Sequence, residues 1–262
     1  MKKETEMLPA SPATVLCVTL LVSSMLGGEA RAESMPSDAP DVVRVTGLRA
    51  IPWKSYRAMR AAMDAYAKYK GHAPDAEFNF GLKLSDGYKL PPNFAMRVRT
   101  REGSEYPIVM KGVLFIPPIL PDDTLDADVV TNVKGVTIRV GTQVDTPGVP
   151  AGMDRLGDRR LACQIDRAIK RVEDDLVTRL LRPNYCENEG VNYWISPSQP
   201  ANDAELVDGE RRMRLRASNG GSGMRFQLPL HDIRWSDDAL VVYQYQRPFQ
   251  GNATRLWFHP VN

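Results

Sequence analysis

The chain has 262 residues, 25% of them charged, and a formal net charge of only +2. A hydrophobic fraction of 43% suffices for one large or two small globular domains with a proper core. So slight a basic excess argues against a dedicated DNA or RNA binder, whose footprint is a strong surplus of lysine and arginine.

The first predicted element is a leader. Residues 14–25 form an apolar run too short to span a bilayer, which takes about 20 apolar residues. Behind it, Ala30 and Ala32 are the small residues that a signal peptidase accepts. Residues 1–32 are therefore expected to be a signal peptide, cleaved before Glu33 and taking Cys17 with it. Cleavage would leave no transmembrane span and address the chain to the bacterial periplasm or the medium. Residues 33–41 are rich in proline and serine and read as a disordered leader, with a short strand over residues 42–45.

A helix is predicted over residues 54–70. Tyr56, Met59, Met63, Tyr66 and Lys70 share one face, Pro52 is tolerated at the entry, and Gly71 supplies a left-handed cap. Alternation then marks strands over residues 77–84, 93–100, 106–116 and 136–144. After the punctuation of Pro147, Gly148, Pro150 and Gly152, a second helix is read over residues 164–182 from Ile165, Ile169, Val172, Leu176 and Leu180. The last third is again β, over residues 191–196, 211–217, 224–228, 239–246 and 255–258.

Cys163 and Cys186 remain after cleavage, and an even pair in an exported chain reads as a disulfide. A straight helix over residues 164–182 would part its ends by about 27 Å, whereas bridged Cα atoms lie within about 7 Å. The bond therefore requires the helix to break near Glu173-Asp174-Asp175, or to start well after Cys163. A continuous helix with two free or intermolecularly bridged cysteines is the rival.

One internal echo stands out. Phe115-Ile116-Pro117-Pro118 is followed by Asp126-Ala127, and Phe226-Gln227-Leu228-Pro229 by Asp238-Ala239, at offsets of 11 and 12 residues. Each copy reads as a strand ending at proline, a crossing loop, and a strand entered by an acidic-alanine step. The arrangement resembles the transthyretin-like regulatory modules of secreted bacterial proteins. The expected fold is α+β: two small antiparallel β-sandwich-like modules braced by two amphipathic helices, over residues 42–152 and 153–262.

Chemistry is sparse. His72, His231 and His259 stand in no nucleophile motif, and no H-x-x-x-H or C-x-x-C spacing occurs, so neither a metal nor a cofactor is expected. The run from Asp122 to Asp128 alternates oxygens as a calcium loop does, but has Ala127 and Val133 where the glycine and the glutamate belong. Glu173-Asp174-Asp175 offers carboxylates that diverge on a helix. The clearest binding feature is Arg212, Arg214 and Arg216. On a strand they share one face about 7 Å apart, opposite Met213 and Leu215, and three guanidinium groups in a row can clamp phosphate or carboxylate. Trp235, Tyr243, Tyr245 and Trp257 read as core rather than as a sugar platform.

These features lead to an exported, non-catalytic protein that binds an envelope protein or an anionic glycan through a β-strand face. The alternatives are a periplasmic hydrolase of wall or polysaccharide substrates, and an assembly factor or chaperone that lends a strand edge.

Overall fold

The computed structural model describes residues 55–84, 89–133, 138–174, 184–188, 192–220 and 223–250. All belong to the unit Thr46–Asn262. The expected signal peptide, the segment 33–41 and the strands over 42–45 and 255–258 lie outside the described residues.

Helix α1 (Tyr56–Tyr69) opens where the Ser55 side chain accepts the Ala58 amide at 3.2 Å. Tyr56, Met59, Ala62 and Ala65 are buried, so small residues widen the predicted apolar face and let another helix approach. Gly71 supplies no left-handed cap. The chain instead tightens into a 3-10 turn at Lys70–His72, closed by the Ala73 amide on the Lys70 carbonyl at 3.0 Å.

Seven strands follow: β1 (Glu77–Leu84), β2 (Met96–Arg99), β3 (Glu105–Ile108), β4 (Met110–Lys111), β5 (Leu114–Phe115), β6 (Asp128–Thr131) and β7 (Ile138–Asp145). They form two sheets ordered β4-β5-β1-β7 and β3-β2-β6. A short strand β8 (Met153–Arg155) then leads into α2 (Leu156–Glu173). Beyond it come β9 (Tyr193–Ile195), β10 (Ala201–Asp208), β11 (Arg211–Arg214), β12 (Ala217–Gly220), β13 (Gly223–Leu228) and β14 (Leu240–Tyr245). Their sheets are ordered β12-β13-β9 and β11-β10-β14-β8. Among the described residues every pairing is antiparallel, so the fold is α+β with antiparallel sheets and two helices.

The second set of strands repeats the first. β1–β5, β2–β3, β2–β6 and β4–β5 recur as β9–β13, β10–β11, β10–β14 and β12–β13. Register recurs too: Val98 stands between Tyr106 and Val129, and Leu206 between Met213 and Val241. The echoed segment leaves its sheet at Phe115 in the first set and at Leu228, two residues past Phe226, in the second, and both join the other sheet after the Asp-Ala step. A helix arginine pins each crossing. Arg60 Nη1 donates to the Leu120 carbonyl at 2.9 Å, and Arg160 Nε to the Leu230 carbonyl at 2.8 Å. Both leucines are buried, as are Ala127 and Ala239.

Two cores result, and α2 belongs to both. Its Leu161, Ala162, Ile165 and Ile169 join α1 and the Phe78, Phe80, Val98, Phe115 and Val140 side chains. Leu156 and Cys163 join Leu206, Phe226, Trp235, Val241 and Tyr243. The first turn of α2 meets the 3-10 turn behind α1 where a Cβ at Gly157 would stand 2.2 Å from the His72 carbonyl oxygen, a gap only glycine allows.

The second helix starts at Leu156, earlier than predicted, and ends at Glu173, with Asp174 extended at ψ 146°. That is the break the bridge requires. Cys163 and Cys186 are bonded, with Cα atoms 5.8 Å apart. The strand predicted over 106–116 is three pieces: the chain changes sheet between β3 and β4, and Gly112 turns it at φ 63° between β4 and β5. The one predicted over 211–217 stops at Arg214, and β10 and β12 were not foreseen.

Candidate functional site

The site begins with a turn. Gly209, at φ 61°, connects β10 to β11 and sets Asp208 opposite Arg211. β11 then lies at the edge of its sheet, with one side paired to β10. Arg212 stands opposite Val207 and leans diagonally to Glu205 at 3.6 Å, while Arg214, opposite Glu205, leans to Asp203 at 2.7 Å. Their side chains are 67% and 76% exposed, so these pairs are screened by water and worth about 0–1 kcal/mol each. Between them Met213 packs against the second core.

Two neighbours extend the basic edge. The Arg211 guanidinium lies 5.0 Å from the centre of the Trp235 ring and donates to the Arg234 carbonyl. Arg216 is exposed but follows the end of β11, where its carbonyl accepts the Gln227 amide at 2.9 Å. The strand therefore carries Arg212 and Arg214 on one face, with Arg216 beyond it. The opposing acids Asp203 and Glu205 lie on β10, and their alternation opposite the arginines is the signal that would have revealed them.

Other candidate chemistry is dispersed. Asp122 lies 3.6 Å from Arg60, and Asp126 is paired to both Arg57 and Arg101. Among the described residues, no group of three or more His, Cys, Asp and Glu gathers where a metal ion could be held. His72 Nδ1 is 3.3 Å from Asp237 Oδ2, and that carboxylate also takes Arg160 Nη1 at 2.6 Å. Arg160 donates as well to the Asp232 and Trp235 carbonyls, which makes it the hub of the second crossing loop. Arg234 forks onto Asp232 and holds its carboxyl at about 2. Trp235 and Tyr243 are core residues, and Trp257 and His259 lie outside the described residues.

A buried polar group on α2 is the feature that sequence periodicity hid. Arg159 donates to Asp154, whose carboxylate also accepts the Tyr243 hydroxyl. Burial lowers the Arg159 guanidinium from its usual value and raises the Tyr243 phenol. Asp158 accepts the Thr146 amide and hydroxyl at 2.9 and 2.6 Å, tying the start of α2 to the end of β7. No protein-family model, curated protein or solved structure matches the chain.

Proposed function

We propose that this is a non-catalytic exported protein that holds an envelope component, an anionic glycan or a protein, on the edge of β11. Its body is read as two small sandwich-like modules of the transthyretin-like kind, over residues 42–152 and 153–262. The observation that carries the binding reading is the exposed pair Arg212 and Arg214, whose ion pairs are weak enough to be exchanged for an incoming anion. The backbone of an edge strand adds hydrogen-bonding groups beside that charge. A buried disulfide fits a compartment where thiols oxidise. No helix among the described residues is long and apolar enough to cross a membrane.

Charge reversal tests the reading. The R212E/R214E variant should lose retention on an immobilised anionic glycan such as polygalacturonate, and lose its partners in pull-downs from an envelope extract. Wild-type retention should fall steeply with salt. Unchanged retention and pull-downs in the variant would reduce the arginines to a device that keeps a sheet edge soluble.

A further inference from the structure

We propose that the cleft between α1 and α2 binds a small organic anion carrying two or more phosphate or carboxylate charges. This site is separate from the β11 edge and does not rest on the reading given for it. The cleft has a volume of about 310 Å³ and is lined by Asp64, Lys68 and Tyr69 of α1 and Gln164, Arg167 and Arg171 of α2, with alanines elsewhere. Aligning the helices on Arg60 and Arg160 superposes Asp64 on Gln164 and Lys68 on Ala168. The cleft thus lies between equivalent faces of the two repeated helices, and junctions between repeated units are favoured places for ligands.

Its charge is the main argument. The two helices carry eight lysines and arginines. Five are in ion pairs: Arg57 with Asp126, Arg60 with Asp64, Arg159 with Asp154, Arg160 with Asp237, and Lys170 with Asp166. The three that make no ion pair among the described residues, Lys68, Arg167 and Arg171, are the three that line the cleft. Asp64, the one carboxylate there, is already held by Arg60 at 3.0 Å. Helix dipoles account for Lys68 and Arg171, which lie in last turns, but not for Arg167 a turn earlier. Arg167 and Arg171 are like charges four apart on one helix face, which costs stability unless an anion lies between them. Gln164 is buried at the base, and its Oε1 accepts Arg167 Nη1 at a long 3.5 Å. That contact aims the guanidinium fork without saturating it. The Tyr69 ring, with Lys68 Nζ 4.9 Å from its centre, supplies an apolar wall.

Calorimetry of the full chain at low ionic strength, with pyrophosphate and citrate as probes, tests the site. We expect one-to-one uptake of at least one probe, weakened about tenfold in each of R167Q and R171Q. It should vanish in K68Q/R167Q/R171Q and persist in R212E/R214E. R167K, which keeps the charge and loses the fork, should fall between. Preference for pyrophosphate would identify a phosphate ligand, and preference for citrate a carboxylate. Thermal denaturation of the variants without ligand verifies that these solvent-facing changes leave the fold intact. Silence of both probes at millimolar concentration would overturn the proposal. So would unchanged affinity in R167Q/R171Q, or loss confined to R212E/R214E.

Discussion

Met59 and Arg159 each precede the arginine that pins a crossing loop, and both are buried, at 0% and 2% exposure. One set of strands therefore packs a thioether where the other packs a guanidinium. The guanidinium is matched by Asp154, and the pair survives out of water because Tyr243 also donates to that carboxylate. Buried ion pairs often contribute less than well-packed apolar groups of similar volume, and Met59 shows that this architecture accepts the apolar solution. Arg159→Met alone should destabilise the protein by about 3–5 kcal/mol, because Asp154 loses its cation while remaining buried. The double variant R159M/D154L should recover much of that loss in urea denaturation. A double variant less stable than R159M would instead mean that the network is a net source of stability. Asp154 lies only five residues from Arg159, but the Tyr243 hydroxyl that shares its carboxylate comes from 89 residues away, and pairing at that distance leaves no local pattern.

At the scale of elements, α2 combines what a sequence discloses and what it hides. Its end was legible, because a bridge from Cys163 to Cys186 cannot coexist with a helix continuing through residue 182. Its start was not, because Asp158, Arg159 and Gln164 are buried polar residues that interrupt the apolar period. β1 was read with the bounds it has, since its alternating side chains face one core. β10 escaped because its Ala, Asp and Glu residues favour other conformations, and the arginines that neutralise its acids come from β11. The candidate site was thus half legible: its cations were visible, their partners were not. The bridge also carries a prediction. With its cysteines 23 positions apart in the sequence, it should contribute about 3 kcal/mol by restricting the unfolded chain. Cys163→Ala/Cys186→Ala should lower the unfolding free energy by that amount, and denaturation of wild type with reductant should converge on the variant. Coincident midpoints for oxidised and reduced wild type would show that the bridge adds no stability.

At the scale of the whole molecule, the repeated pairing pattern raises the question of independence. Two sets of strands with separate cores would unfold separately if the helices served only their own set. They do not: α2 places Leu161, Ile165 and Ile169 in the first core and Leu156 and Cys163 in the second. Its first turn is also tied to both, through Asp158 to Thr146 and through the Gly157 amide to the Asp237 carbonyl at 2.9 Å. Loss of either core strips packing from the same helix, so global unfolding should be shared. Phe80→Leu tests this from the first core, where the ring is fully buried between Phe78 and Phe115. A cost of about 1–2 kcal/mol is expected there. Under shared unfolding, the slowest amides of β10 and β14, far along the chain in the second core, should exchange about tenfold faster. Independent modules would leave those amides at their wild-type rates while β1 and β7 alone became labile. The shared outcome is the one the packing of α2 requires, because no route removes that helix from one core and keeps it seated in the other.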